Sequence, residues 1–537
     1  MNRTLLLALA SAAVCGEAFA QSNSRGPGYD AALSNISSPR AYGRRGAAHP
    51  GGEVGLAFQN QLCNPGSIPI EWRAPMLADH PFFSFMVARL DATRIVQVSD
   101  WSYCKHAFLS LNSPSTCGGS CVQPPAGGSQ LGVRCSDIYS NGNNGDRNYL
   151  GPPEEIDPWL GNWRPVGSYF DRGDPDVGVP GNTDGARSTI NVGTDAVKNR
   201  VTVRENEVLG VPSGNLFFQI QVVCQGEPAS NRANNTMSRP FNLTWNGTAW
   251  SANTTGLPAA TTGTILTRWP GAQIDSAGNG NDDGRFLIAS KITGPVNGLW
   301  HYEYAVLNLD NHRGGAGFRL PVCPTARVQN LGFRDIDTNA LNNWTATVGN
   351  GEIAWTAPST NPQNWNMLFN FWFDSDAAPS SGSATIDQAR IGAGALSFAV
   401  PTQVPGLQHG VYTGIGCGAP GLELRANGVP SAGNTGFAID MVGAPNMGAL
   451  VFYSFAGGNV PVAPGCTQWL DTGLIGAHGF MLLDGSGNSS IPLGVPVGFA
   501  PLDLHWQAAT ILPSGPLFGS YGLSNGLLVR LAGSTCQ

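Results

Sequence analysis

Short runs in which apolar and polar residues alternate, separated by Gly, Pro and Asn, recur along this chain of 537 residues. A period of two puts successive side chains on opposite faces, so each run predicts a β-strand with one buried face. The pattern is densest over 283–322 and again in 364–374, NWNMLFNFWFD. Within 299–307, Trp300, Tyr302 and Tyr304 fall on one strand face, and His301, Glu303 and Ala305 on the other.

Earlier in the chain the candidate strands are 54–58, 82–90, 94–98, 189–192, 200–203 and 216–223, in a first unit spanning 53–250. Inside it lies a long irregular stretch, 112–180, rich in Gly, Asn, Pro and Asp. So long a loop is usually functional or stapled by disulfides. A Thr/Ala/Gly segment at 251–263 reads as a linker, and a second, aromatic-rich β unit is predicted over 264–401. Residues 402–416 are a Gly-rich connection to a third unit, 417–537, whose strands fall near 421–424, 436–441, 449–455, 480–483, 490–493, 503–511 and 526–531. Such spacing predicts an all-β, multi-domain chain of antiparallel β-sandwich units with long disulfide-stapled loops. The nearest approach to a helix is a turn or two at 383–391. Residues 21–52 lack periodicity and read as a flexible segment.

The first 20 residues change the picture by adding a compartment. MNRTLLLALASAAVCGEAFA has a basic start at Arg3, an apolar run and a small-x-small ending at Ala18 and Ala20. This reads as a secretory signal, cleaved after Ala20. Lipidation at Cys15 is the alternative, disfavoured by the bulky Val14 before it. No other run is long and apolar enough to predict a transmembrane segment. Removing Cys15 leaves ten cysteines, an even set that in an exported chain reads as disulfides of open connectivity. Cys417 with Cys466 is the pairing singled out, bracketing the first half of the last unit. A zinc site from Cys104, Cys117, Cys121 and Cys135 is the alternative, though these spacers lack paired knuckles.

Charged residues make up 12% of the chain, the net charge is −7, and there are only three lysines. A weakly acidic, lysine-poor surface fits phosphate backbones badly, so nucleic-acid binding is not expected.

The third unit carries CGAPGLELRANGVPSAGNTGFAIDMVGAP, PGCTQWLD, DGSGNSSIPLGVP, LHWQAATI and GLSNGLLVRL. It resembles the C-terminal β module of uncharacterised exported β-rich proteins of planctomycete-like bacteria. Upstream patches resemble the same group: SDWSYCKHAF at 99–108, LGVRCSD at 131–137, and the DGRF…WHYEYAVLNLDNHR stretch. The resemblance implies export and β-structure, and brings no activity, cofactor or partner with it.

The sequence declares no activity of its own. There is no GxSxG elbow, HExxH helix, phosphate-binding loop or complete dinucleotide fingerprint. Asn279, Asn281 and Asp283 before Gly284 space three oxygen side chains as a calcium loop would, without the distal glutamate; the plainer reading is an Asn/Gly/Asp turn. Alternation pairs His301 with Glu303 and Asp335 with Asp337. Were their strands neighbours, these would form a metal site or a carboxylate pair for glycoside chemistry; otherwise they are a solvated sheet face. Trp300, Trp344, Trp355, Trp365 and Trp372 offer flat faces for sugar stacking, although sandwich cores bury such residues as well. His80 and His106, beside Trp101, Cys104 and Lys105, are a two-histidine metal candidate lacking a third ligand.

The leading expectation is an exported cell-surface or extracellular binding or structural protein. It would need no cofactor beyond the calcium candidate and would contact glycans or matrix components through Trp300, Tyr302, Trp355 and Trp372. The alternative is a secreted glycan-active hydrolase or lyase using Glu303, Asp335 and Asp337 with His301. A third reading, self-assembly into a surface layer, predicts exposed edge strands. Oligomeric state is left open by the sequence.

Overall fold

A computed structural model describes residues 21–74, 76–114, 117–172, 184–188, 195–324, 326–406, 410–418 and 421–532. The candidate signal segment 1–20, the candidate strand 189–192 and Cys536 lie outside the described residues. The protein is all-β, about 48% strand and 6% helix, and its strand pairings are antiparallel. Among the described residues no helix is long and apolar enough to cross a membrane.

In the first unit, a five-stranded sheet built on Gly52–Cys63 faces an eight-stranded sheet centred on Phe82–Leu90 and Leu216–Val223. The sequences FFSFMVARL and LFFQIQVV are almost continuously apolar, and a strand needs that only when both its faces are covered. Phe83, Phe85 and Val87 point into the first sandwich core, whereas Met86 and Ala88 point outward. There they join Ala289, Ala305, Leu307 and Leu368 of the second unit in a shared apolar layer.

The second unit is a sandwich of two five-stranded sheets. One runs Gln273–Gly278, Arg285–Val296, Leu299–Asn308, Met367–Ser375, Val328–Arg334 in spatial order. Tyr302, Tyr304, Trp355, Phe371 and Phe373 fill the space between the sheets. In the third unit a six-stranded sheet and a three-stranded sheet enclose a smaller core around Leu424, Ile439, Val451 and Trp506.

Several boundaries differ from the sequence reading. Ala32–Gly46, placed in a flexible segment, is a 15-residue strand paired along its length with Gly52–Cys63. Its backbone supplies the pairing, which its polar side chains do not announce. The 251–263 linker is strapped to the first unit, since Trp250–Asn253 and Thr261–Thr262 both pair with Thr236–Trp245. The helical turn at 383–391 is instead strand Pro379–Gln388, held on both sides.

Cys63–Cys117, Cys121–Cys135 and Cys417–Cys466 are bonded, which removes the zinc alternative and fits an oxidising, extracellular compartment. The first two pairs staple the long irregular stretch to the first unit. Cys104 and Cys224 are free and buried, against the expectation of a fully paired set. Register gives the reason. Cys104 shares the Phe82 face of the sheet, and Cys224 shares the Phe83 face, so the two thiols look in opposite directions.

Candidate functional site

The His301 face of the central sheet is neither a solvated surface nor an open acid/base site, because the first unit covers it. Arg94 Nη2 donates to Glu303 Oε2 at 2.7 Å, and its guanidinium lies 3.8 Å over the Trp372 ring. Trp372 is opposite Glu303 in the register and lies flat against Gly332, where a Cβ would sit 1.9 Å from the ring. His301 bridges two carboxylates, Nδ1 to Asp374 Oδ1 at 2.7 Å and Nε2 to Glu303 Oε2 at 3.3 Å. Glu303 and Asp374 together raise the imidazole above its ordinary value. Burial pushes Glu303 up, while His301 and Arg94 pull it down. With its side chain 2% exposed, Glu303 is a structural anchor between two units.

Asp335 and Asp337 do not join this cluster. Their loop follows Val328–Arg334, which pairs with Met367–Ser375 and not with the Glu303 strand, and leaves the sheet at the end away from His301. Asp335 accepts from the Asp337 backbone and from Asn361; Asp337 accepts from the Asn339 backbone and from Asn342. Both cap a loop. The expected carboxylate pair is therefore not assembled.

The calcium candidate resolves into a turn. Asn279 Oδ1 accepts from the Asn281 backbone, and Asn279 Nδ2 donates to Asp283. Asp283 in turn is met at 2.6 Å by the fully buried Arg313 guanidinium, which occupies the place a cation would take. Among the described residues no group of three or more His, Cys, Asp or Glu is arranged to hold a metal ion.

His80 and His106 do meet, Nε2 to Nδ1 at 2.9 Å, inside an aromatic cage that includes Phe82, Trp163 and Phe170. The ring nitrogens that face each other are spent on that bond. Burial holds both imidazoles below their ordinary value, His80 at about 4. On the opposite face Lys105 is fully buried over Tyr149 and Phe108, and its Nζ has no hydrogen-bond partner among the described residues. Burial pushes this ammonium down from 10.5 to about 7. A lowered lysine leaves the folded state progressively less favoured as pH falls from about 10.5 to about 7, because only the unfolded chain gains the proton there. Lys105→Met is expected to stabilise the protein at pH 7 by roughly 2 kcal/mol, with an advantage that shrinks towards pH 10. Urea titrations at the two pH values measure this, and a destabilised variant would refute it.

Of the four aromatics expected to bind a ligand, Tyr302 and Trp355 are fully buried between the sheets and Trp372 is roofed by Arg94. Only Trp300 lines a cleft. It stands at the start of Leu299–Asn308, beside a turn, 294–298, that reaches across to the third unit. There Gly298 N donates to Glu423 Oε1 at 2.6 Å, and Arg425 Nη2 donates to Pro295 O at 3.2 Å. Gly298 has φ +73°, and a Cβ would meet the Tyr412 ring at 2.4 Å, so this docking needs glycine on both counts.

The turn leaves a cleft of about 240 Å³ between the units, lined by Trp300, Tyr412, Arg425, Asn427, Asp376 and Asp440. The polar lining is held from behind. Asn427 Nδ2 and Ser490 Oγ donate to the two Asp440 oxygens, Arg425 is paired with Glu423, and Asp376 accepts from the Arg327 backbone. An aromatic wall beside fixed carboxylate, amide and guanidinium groups suits a ligand with a flat apolar face and many hydroxyls. Sequence reasoning found Trp300 and missed the rest. Tyr412, Arg425, Asn427 and Asp440 lie more than a hundred residues away, and no local pattern announces that they meet it.

No family model matches this chain, and no curated protein matches it. Among solved structures it is similar to BcpA, the major pilin subunit of Bacillus cereus, at 12% identity over 61% of this chain and 81% of that one, with a TM-score of 0.18. It is also similar to Escherichia coli alpha-2-macroglobulin activated by porcine elastase, at 9% identity over 93% of this chain and 34% of that one, TM-score 0.13. A tetra-tandem repeat in the extending region of a large adhesion protein matches at 9% identity over 89% and 95%, TM-score 0.12. Likenesses this slight carry no argument about what the chain does.

Proposed function

We propose that this chain is an exported, surface-exposed β-rich protein that binds glycans in the cleft between its second and third units. Membership of the exported planctomycete-like group is part of the same proposal, resting on the sequence patches given above. The observation that carries the binding reading is the Trp300 cleft, where an aromatic side chain faces polar groups already fixed by their own hydrogen bonds. Fixed polar groups lose little freedom on binding, which favours recognition of a sugar's hydroxyl pattern. Against the hydrolase alternative, Glu303 is tied to Arg94 and His301, and Asp335 caps a distant loop.

A glycan array probed with the chain lacking residues 1–20 tests this, with each hit also assayed for new reducing ends. Retention of at least one glycan is expected, weakened roughly tenfold or more in Trp300→Ala and in Arg425→Ala with the fold intact by circular dichroism. Retention unchanged in both variants would remove the cleft from the proposal. Release of new reducing ends would replace binding with catalysis.

A further inference from the structure

The third unit ends its six-stranded sheet on Gly476–Leu482, GAHGFML, which pairs on one side only, with Gly448–Ser454. Its other edge presents backbone groups without a hydrogen-bond partner among the described residues. Exposed edges are normally blunted by charge, proline or a β-bulge. Every other edge strand of six or more described residues follows that rule: Ala32–Gly46 carries Arg40, Gln273–Gly278 carries Asp275, Val328–Arg334 carries Arg334, Ser397–Pro405 carries Pro401, and Gly457–Ala463 carries Pro461. Gly476–Leu482 has neither charge nor proline; its one ionisable residue, His478, is the extra residue of a bulge, and beyond it Gly479–Leu482 pairs regularly with Gly448–Val451 and carries no blunting device.

The sheet face beside this edge is apolar as well. Phe480 lies opposite Leu450, and Leu482 opposite Gly448, all on the outward side, because Ala449 and Val451 fill the core. Ile511, at 66% exposed, continues this outward row, since its neighbour Thr510 lies opposite the core residue Ala449. An open edge and an apolar face on the same margin ask for a partner that supplies both a strand and a matching face.

We propose that the partner is a second copy of this chain, joined by antiparallel pairing of the two edge strands along their regular stretch, Gly479–Leu482, about a two-fold axis normal to the sheet. Three observations select a second copy. An antiparallel strand pairs with itself under two-fold symmetry, so the edge is its own complement. The same axis keeps outward face beside outward face, so the Phe480 and Leu482 rows of both copies become one apolar strip. The edge strand bears no Asp, Glu, Lys or Arg, so two copies of it meet without like-charge repulsion between the strands. The product is one continuous sheet that closes after two copies and stays clear of the Trp300 cleft.

Sedimentation velocity on the chain lacking residues 1–20, over a wide concentration range, tests this. A concentration-dependent monomer–dimer equilibrium is expected. Phe480→Asp and, separately, Leu482→Lys are expected to abolish the dimer, with unchanged circular dichroism because both side chains are exposed. A monomer at every concentration, an open-ended polymer, or a dimer that survives both substitutions would each overturn the proposal. Glycan retention by the Phe480→Asp monomer is expected to match that of the parent, which keeps this test separate from that of the cleft.

Discussion

Glu205→Ala is expected to destabilise the first unit by about 3 kcal/mol at pH 7, the effect of stripping several buried donors of one acceptor. Glu205 is fully buried, yet its carboxylate accepts from Arg44 Nε and Nη2 at 2.8 and 2.7 Å, from Trp250 Nε1 at 2.7 Å and from Gly52 N at 2.9 Å. His49 Nδ1 approaches to 3.3 Å while its ring stacks on Trp245. One carboxylate thus ties the turn between Ala32–Gly46 and Gly52–Cys63 to Trp250–Asn253. The Arg44 hydrogen bonds, helped by Trp250 and Gly52, hold this carboxyl well below the usual glutamate range. A depressed folded-state value gives stability that is present above the unfolded value, near pH 4.5, and is lost as pH falls below it. The gap between parent and variant in urea should therefore be full at pH 7 and narrow progressively below pH 4.5. A gap under about 1 kcal/mol at pH 7, or one that does not narrow in acid, would show that the cluster stabilises less than its geometry implies.

The second large effect is expected in the third unit. Replacing Cys417 and Cys466 together by serine opens a crosslink between residues 49 apart, which on chain-entropy grounds stabilises by about 4 kcal/mol. The core enclosed by the two sheets here is smaller than in the other units, so that loss should lower this unit's midpoint visibly. Arg425, Asn427 and Asp440 all lie within the bracketed segment, so glycan retention should weaken in the same variant. Calorimetry of parent and double variant gives the first readout and the array gives the second. An unshifted third-unit transition would mean that the sheets alone hold this segment in place.

How much was legible depends on how local the cause was. Strands Phe82–Leu90 and Leu216–Val223 stand where the apolar runs predicted, since a run that long cannot be left in water. The alternation in 299–307 placed Tyr302 and Tyr304 together in the core. Ala32–Gly46 escaped notice because an edge strand needs only backbone pairing, and its side chains, Arg40, Arg44 and Arg45 among them, look like those of a loop. The candidate site was legible only at Trp300, whose neighbours come from a separate unit.

The period-two pattern by itself determined that this protein is all-β and which face of each central strand is apolar, because side-chain direction alternates whatever the strand packs against. What lies across that face was decided only by the tertiary structure. His301 and Glu303 share a strand face by local geometry, but that this face is sealed by Arg94 and not open to a substrate follows from the first unit docking on it. Likewise Cys104 and Cys224 are two thiols in the sequence, and only the register of three strands sends them to opposite sides of one sheet. Contacts between residues hundreds of positions apart leave no mark on either local pattern, so the cleft and the open edge emerge only when the layers are stacked.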